Sequence, residues 1–388
     1  IENNVDATCG TDGSYDEVIK CECGHEISRT PKVIPATGAH NYVYTDNANG
    51  THTYACSGCG DSVTEAHSYT DNACACGHTL VVMISGSQAT LEAMLQLDFN
   101  INTSLLTGTD NYAVITHTYA NGTTDVVTIP QSEWVNGNRA SYTKIAAKEM
   151  GDSVSIVLYN AQGQQLSVPR EDSIEAYAYR GLKALAGVAN GTKNAILRTL
   201  LVDMLNYGAA AQLQFGYDTN NLVTADLTDT QKAWATQNDI PPVNNQIKDE
   251  ATRTTTLTLE SAIELDCVFY ASKIGEASTW KDLYAIATYV DHNGNTRTVR
   301  IEGEDFGMYR GDSSAAQVPV VGMAVADYQS IVTCVVYDAN GNVLGTAIDS
   351  VEGYVYRALT SGAAGAKLET LCKNLMKFSA SAAAYFTN

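Results

Sequence analysis

One unit of sequence occurs twice in this chain, and this duplication constrains the fold more than any other feature. Asp172-Ser-Ile-Glu-Ala-Tyr-Ala-Tyr-Arg180 in the first half returns as Asp349-Ser-Val-Glu-Gly-Tyr-Val-Tyr-Arg357 in the second half. Leu197-Arg-Thr-Leu200 likewise returns as Leu368-Glu-Thr-Leu371. An internal repeat of this length predicts two related lobes that end in the same helical element.

Each copy of the unit predicts a helical hairpin. Asp172 and Asp349 stand three residues before Glu175 and Glu352, a spacing typical of a capped helix start. The second helix has an apolar stripe at three- and four-residue steps, formed by Leu197, Leu200, Leu201, Met204, Leu205 and Leu213. Such a stripe is typical of a helix that lies on a core.

Short strand-like segments precede each hairpin. In the first copy we predict strands over 81–84, 91–101, 112–119, 125–129, 141–147, 154–159 and 164–168, with glycine-containing turns between them. Strands of this length and spacing indicate a β-sandwich. The second copy follows the same plan, since Tyr284 matches Tyr112 near its start and Phe386 matches Phe215 at its end.

The predicted fold is mainly β with α. Residues 1–78 form a Cys/His-rich, zinc-ribbon-like segment, and 79–216 form lobe 1, a β-sandwich plus helical hairpin. Residues 217–250 form a connector with a short helix, capped by Thr228 and Gln231. Residues 251–388 form lobe 2, built like lobe 1. Cys267, Cys334 and Cys372 align with apolar positions of lobe 1 and are predicted to be buried free thiols.

The N-terminal segment, 1–78, holds seven cysteines and five histidines, with too few apolar side chains for a core of its own. Close cysteines on a glycine turn can face one tetrahedral Zn²⁺, so the sequence predicts about two structural zinc sites. One predicted site combines Cys56, Cys59, Cys74 and Cys76. The other combines Cys9, Cys21, Cys23 and a histidine, for which His40 is preferred and His25 is the alternative. Disulfide bonds are the alternative for the whole segment.

Charge limits the partners that the protein can have. The net charge is −20, from 23 basic and 43 acidic residues. This balance argues against binding to nucleic acid or to an anionic membrane surface, because both need a positive protein surface. A neutral ligand or polymer suits the charge better. No apolar run approaches the ~20 residues of a membrane span.

Motifs of catalysis are missing from the sequence. It has no Gly-x-Ser-x-Gly elbow, no phosphate-binding glycine loop and no His-Glu-x-x-His helix. His117 and His292, the histidines outside the N-terminal segment, are predicted to lie on a surface strand or turn. The sequence therefore predicts a protein that is not an enzyme.

Four aromatic residues are the candidate ligand-binding residues. Trp134 and Trp280 stand in polar loops, and Tyr142 and Tyr309 follow the equivalent loops of the two lobes. Exposed aromatic rings flanked by amides and carboxylates can stack on the apolar faces of sugars. The alternative is that each tryptophan fixes its loop to the edge of the sandwich.

Two motifs carry a resemblance to a known group of proteins. These are Asp-Met-Leu-Asn-Tyr207-Gly-Ala-Ala-Ala-Gln in the hairpin and Leu227-Thr-Asp-Thr-Gln-Lys-Ala-Trp234-Ala-Thr in the connector. With the duplicated plan, they resemble the starch adherence system (amylosome) proteins of gut Ruminococcus and relatives, and residues 35–60 resemble zinc-ribbon-like repeats of gut Firmicutes surface proteins. The resemblance implies a non-catalytic starch-binding protein with carbohydrate-binding modules.

The hypothesis is therefore a secreted, extracellular protein of the cell surface that binds starch-like α-1,4-glucan, such as amylopectin or maltooligosaccharides. Frequent Thr, Asn, Gly and Tyr with few Lys are similar to exported bacterial surface proteins, and a start at Ile1 without a signal peptide indicates a mature or excised chain. Membership of a larger cell-surface complex is expected. The alternatives are an adhesion or scaffold protein with a protein partner, and a carbohydrate-active enzyme.

Overall fold

The structure is a computed structural model that describes residues 1–90, 95–259, 263–362 and 364–387. Strands account for 38% and helices for 26%, so the prediction of a mainly β chain with helices is confirmed. Of the strand predicted over 91–101, residues 91–94 lie outside the described residues. None of the described helices has both the length and the hydropathy to cross a lipid bilayer.

The N-terminal segment consists of three small antiparallel sheets, with strand orders β1-β2-β3, β4-β5-β6 and β7-β8. Its strands are β1 (Glu2–Val5), β2 (Gly13–Lys20), β3 (Glu26–Ile34), β4 (Tyr42–Asp46), β5 (Thr51–Cys56), β6 (Ser62–Ala66), β7 (Tyr69–Thr70) and β8 (Ala73–Cys74). Among residues 1–78, all of which the structure describes, only Gly13, His52, Cys56 and Cys74 are buried. The segment therefore lacks an apolar core.

Lobe 1 is a sandwich of two antiparallel sheets, β13-β10-β9 and β12-β11-β14-β15. Its strands are β9 (Ile84–Thr90), β10 (Gln96–Ile101), β11 (Tyr112–Thr118), β12 (Thr124–Pro130), β13 (Arg139–Tyr142), β14 (Ser153–Tyr159) and β15 (Arg170–Asp172). Alternate residues point inward, so that Phe99 on one sheet and Ile115 on the other are fully buried. Helices α1 (Ile174–Ala184) and α2 (Lys193–Phe215) form the hairpin that follows.

The connector contains α3 (Asp229–Lys232), which begins with the predicted capping box of Thr228 and Gln231.

Lobe 2 then repeats the sandwich with sheets β16-β24-β23-β19-β20 and β17-β18-β22-β21. Its elements are β16 (Ile247–Lys248), β17 (Thr252–Leu259), β18 (Ile263–Tyr270), α4 (Ala271–Ile274), β19 (Tyr284–Val290), β20 (Thr296–Glu302), β21 (Gly307–Met308), β22 (Ala315–Met323), β23 (Val332–Tyr337), β24 (Val343–Asp349), α5 (Val351–Thr360) and α6 (Ala366–Phe386). Its three cysteines are buried free thiols, as predicted.

The predicted helix caps are wrong by one residue. Ser173 caps α1, because its hydroxyl oxygen accepts a hydrogen bond from the Ala176 amide at 2.9 Å. Asp172 is instead buried and accepts a hydrogen bond from Arg180 at 2.8 Å. Lobe 2 repeats this arrangement, with Ser350 as the cap. The aspartate therefore joins the helix to the sandwich through an ion pair.

The two lobes pack against each other through α2 and α6. The ring of Tyr207 on α2 stacks on the ring of Phe378 on α6, with 5.6 Å between centroids and 23° between planes. These two residues are equivalent positions of the repeat, since Tyr207 precedes Phe215 by the same spacing as Phe378 precedes Phe386. Contact between equivalent residues is the property of an interface around a local two-fold axis. The lobes therefore meet like the halves of a symmetric dimer.

Candidate metal centres

Three tight turns place cysteines of the N-terminal segment close together. They begin at Cys21, Cys56 and Cys74, and each is closed by a glycine whose amide donates to the carbonyl of that cysteine at 2.9 Å. The closing glycines, Gly24, Gly60 and Gly77, have φ values of 83°, 76° and 91°. Glycine adopts this left-handed conformation without the steric cost that a side chain imposes. The turns at Cys56 and Cys74 thus each bring two thiols close together, whereas the turn at Cys21 holds the Cys21–Cys23 disulfide bond.

The first group of metal-ligating side chains consists of Cys9, His40, Cys56 and Cys59. Their ligand atoms all lie within 4.8 Å of one another. The Sγ atoms of Cys9 and Cys56 are 3.4 Å apart, and Cys59 Sγ lies 3.3 Å from His40 Nδ1. Cys9 precedes β2, whereas Cys56 is the last residue of β5 and Cys59 follows that strand. The group therefore joins the first sheet to the second.

The second group consists of His52, His67, Cys74 and Cys76, again with all ligand atoms within 4.8 Å. Cys74 Sγ lies 3.5 Å from His52 Nδ1. His52 lies on β5, while both cysteines belong to the turn at the end of β8. This group joins the second sheet to the third.

The second group contains a buried ring nitrogen that makes no hydrogen bond. His67 Nδ1 is 3.0 Å from the hydroxyl of Tyr69, whereas Nε2 is buried without a hydrogen bond. A carboxylate oxygen of Asp46 lies 3.3 Å from that Nε2, close enough for an ionic contact but without hydrogen-bond geometry. The other ring nitrogen of His52 lies 3.4 Å from Glu65. Outer contacts of this kind orient histidine ligands in metal sites.

Backbone amides favour the thiolate form of one cysteine in the first group. The amides of Gly58 and Cys59 donate to Cys56 and lower its pKa to about 5. Cys9, which shares hydrogen bonds with the thiols of Cys59 and Cys56, has its pKa raised to about 12. Without a metal ion, crowded thiols cannot all be ionised, because like charges repel each other. A divalent cation removes this conflict.

The predicted division of ligands between the two sites is wrong. Cys56 and Cys59 belong to the first group, while Cys74 and Cys76 belong to the second. The reason is that each turn meets side chains from the sheet before it rather than the other turn. Cys21 and Cys23 are joined in a disulfide bond and belong to neither group, and His25 is outside both. Cys9 and His40 were correctly placed together.

His52 and His67 were missed as ligands. A repeated pattern in the sequence could have identified one of them, since His40-Asn-Tyr42 and His67-Ser-Tyr69 have the same form. His40 belongs to the first metal-ligating group and His67 to the second, so the two His-x-Tyr segments occupy equivalent positions in the two sites. His52 has no such signal, because only the pairing of β5 with its neighbours brings it to the second group.

Three of the four predicted sugar-binding aromatic residues are buried. The exposed fractions of Trp134, Trp280 and Tyr142 are 4%, 3% and 2%. The indole N–H of Trp134 donates to the Ile129 carbonyl at 3.3 Å, and that of Trp280 donates to the Gly275 carbonyl at 2.7 Å. Each loop therefore folds its large ring onto the sandwich, and the prediction that these rings stack on sugars is wrong.

Tyr309 is the remaining predicted residue, and it is half-buried. The guanidinium groups of Arg253 and Arg310 lie 5.5 and 5.1 Å from its ring centroid. Tyr309 thus keeps part of its surface at the solvent, beside two cations.

His117 is fully buried rather than on the surface, contrary to the prediction. Its ring nitrogens lie 3.1 Å from the Tyr142 hydroxyl and 3.2 Å from the Asp152 carboxylate. Tyr217 also donates to Asp152, at 2.5 Å. These groups satisfy one another inside lobe 1, so the network has a structural role.

Comparison of the chain with protein-family models and with curated proteins gives no match.

Proposed function

We propose that residues 1–78 bind two zinc ions that hold the segment together. The observation that carries the proposal is the presence of two separate groups of four Cys/His side chains, each with its ligand atoms within 4.8 Å. The first group offers three thiolates and one imidazole, and the second offers two of each. Both sets are typical of structural zinc sites.

The spacing of the ligand atoms supports zinc as the metal. In a tetrahedral site with usual bond lengths, two thiolate sulfurs are about 3.8 Å apart, and a sulfur and a nitrogen are about 3.6 Å apart. In the structure, one pair of neighbouring sulfurs is 3.4 Å apart, and two sulfur–nitrogen pairs are 3.3 Å and 3.5 Å apart. Small movements therefore suffice to enclose an ion. When bound, zinc supplies a closed, redox-inactive cross-link.

Each proposed ion would bridge two neighbouring sheets. Cys9 comes from the first sheet and meets ligands of the second, and His52 comes from the second sheet and meets ligands of the third. A chain of small sheets without a core needs such links, because burial alone cannot offset the conformational entropy lost on folding.

Cobalt substitution tests the two sites separately. Co²⁺ bound to thiolates in a tetrahedral site gives charge-transfer and visible absorption bands. We expect two equivalents of Co²⁺ to produce these bands in the wild type, and one equivalent to suffice in Cys59→Ser or Cys76→Ser. Zinc should displace the cobalt from both sites. A protein that takes up no cobalt after reduction of its thiols would contradict the proposal.

Binding of starch-like α-1,4-glucan at the cell surface is our second proposed function. Its support is the resemblance of the hairpin and connector motifs, together with the acidic charge, which suits a neutral polymer. Tyr309 is its remaining aromatic candidate. Affinity electrophoresis in amylopectin should retard the wild type, and Tyr309→Ala should lose retardation. Wild type that runs unretarded would leave the protein-partner alternative, and release of reducing ends would indicate an enzyme.

A further inference from the structure

The contact between the lobes contains a cavity lined by both apolar and polar side chains, here called the interlobe cleft, with a volume of 420 Å³. One wall belongs to lobe 1 and includes Gln214 and Phe215 at the end of α2. The other wall belongs to lobe 2 and includes Leu259 on β17, Tyr354 on α5 and Leu371 on α6. The ring of Phe215 is 51% exposed. The cleft thus offers an aromatic ring and several apolar side chains to a ligand.

The local two-fold relation between the lobes gives the residues of this cleft equivalents on the opposite side. Phe386 is the equivalent of Phe215, and Tyr385, which directly precedes it, is the equivalent of Gln214. On the opposite side, therefore, a phenol ring stands at the position that an amide occupies in the cleft.

The side chains around Tyr385 show how a phenol ring is held at the position equivalent to Gln214. Its ring lies edge-on to that of Phe386, with 5.3 Å between centroids, and both rings pack against the shared core. The ammonium group of Lys193 lies 5.2 Å from the ring centroid. Tyr385 thus has an aromatic ring and a cation as neighbours.

The lining of the interlobe cleft includes an aromatic ring, a tyrosine and a cation, but it has no ring at the position equivalent to Tyr385. Phe215 is present, and Tyr354 lines the opposite wall. The ammonium group of Lys148, which also lines the cleft, lies 5.9 Å from the Phe215 ring centroid. Gln214 does not supply an aromatic ring, so the apolar surfaces remain accessible from the cavity.

We propose that the interlobe cleft binds a small aromatic molecule with a phenol-like ring. An apolar cavity of about 150 Å³ is enough for benzene, so this cleft has room for a ring and a short substituent. The ring would pack edge-on to Phe215, as Tyr385 packs on Phe386, and the cation would attract its π face. The ligand would therefore replace a side chain that the other half of the molecule supplies itself.

The experiment uses p-cresol, the side chain of tyrosine as a free molecule, and follows its binding to the full chain by calorimetry and ligand-observed NMR. We expect saturable binding by the wild type. Gln214→Tyr should place a ring in the cleft, as Tyr385 does on the other side, and weaken p-cresol binding at least about tenfold. Its melting temperature should rise because the cavity is filled.

Two further variants keep the test independent of folding defects. Gln162→Tyr makes the same substitution at an exposed turn of lobe 1 and should bind p-cresol like the wild type. Phe215→Ala removes one wall and should weaken binding while circular dichroism stays unchanged. Absence of p-cresol binding in the wild type, or unchanged binding in Gln214→Tyr, would overturn the proposal. Binding of maltose but not p-cresol, blocked by Gln214→Tyr, would also overturn it and assign the cleft to sugars.

Discussion

The N-terminal segment and the two lobes are stabilised in different ways. In lobes 1 and 2, inward-facing strand residues and one face of each long helix form a continuous apolar core. In residues 1–78, three of the four buried residues are His52, Cys56 and Cys74, and all three belong to the metal-ligating groups. Burial in the segment therefore serves ligand placement, whereas burial in the lobes serves packing. The two regions should therefore respond to different perturbations.

Metal removal should have the largest effect, and only on the segment. Structural zinc contributes roughly 10–16 kcal/mol of apparent binding free energy in small zinc-binding domains. After dialysis against a chelator, we expect amide hydrogens of β5 to exchange rapidly, while those of β18 in lobe 2 stay protected. Hydrogen–deuterium exchange with peptide resolution measures both. Equal protection of β5 before and after chelation would mean that the segment folds without metal.

Removal of a buried tryptophan should have the next largest effect, and only on a lobe. Truncation of a buried Trp to Ala typically costs about 3–5 kcal/mol, from lost burial and the cavity left behind. We expect Trp280→Ala to lower the free energy of unfolding of lobe 2 by this amount and to leave the zinc content unchanged. Urea unfolding followed by near-UV circular dichroism measures the loss.

Tyr309→Ala is the matched control for that experiment, because it removes a half-buried ring from the same lobe. Its cost should be well below that of Trp280→Ala. Equal stability of Trp280→Ala and wild type would show that Trp280 is exposed, and the hypothesis of a sugar-stacking ring would return.

Loss of the ion pair between α1 and the sandwich should have a smaller effect. Burial raises the pKa of Asp172, but hydrogen bonds from Arg180 and Ser87 outweigh it, and the net pKa is lowered. The pair therefore adds stability above the unfolded-state pKa of about 4, and this is lost as pH falls through the folded-state value. At pH 7 we expect Asp172→Asn to cost about 1–3 kcal/mol.

The difference between Asp172→Asn and wild type should shrink below pH 4, as measured by urea unfolding across a pH series. Asp349→Asn makes the equivalent change in lobe 2 and should have a similar cost at pH 7. A difference that stays constant down to pH 2 would contradict the role of the ionised carboxylate.

The smallest effect is expected when Cys21 and Cys23, the N-terminal cysteines outside the two metal-ligating groups, are replaced. Because Cys21 and Cys23 are bonded to each other, the double substitution of both by alanine should leave the zinc content at two ions per chain. Metal analysis of the purified variant checks this. Loss of one ion would restore the predicted site in which these two cysteines join Cys9.

The duplication and the strand pattern were sufficient to predict the fold class, since apolar alternation and turn residues are local properties of a sequence. The predicted helix cap was wrong by one residue. Asp172 and Ser173 are both good capping residues, and only the position of Arg180 decides between them. The prediction that Trp134 and Trp280 are exposed was wrong, because their polar neighbours in the sequence do not reveal whether a ring turns inward.

The sequence was sufficient to predict metal sites made of cysteines and histidines, but not which residues belong to each site. The number of close cysteines and histidines in residues 1–78 indicates metal sites, because a segment with so few apolar side chains needs cross-links to be stable. The grouping depends on which sheet follows which in space, and no local pattern encodes this. His52 is the clearest case, since it lies on a strand and far in sequence from Cys74.

We propose that two zinc ions bind in two separate groups of Cys/His side chains. The most direct test is elemental analysis of the native protein together with Cys59→Ser and Cys76→Ser, combined with titration of free thiols. We expect two zinc ions per wild-type chain and one in each variant, because each substitution removes a ligand from a different group. A metal-free wild type with oxidised N-terminal cysteines would contradict the proposal of two zinc sites, as would loss of both ions in either variant.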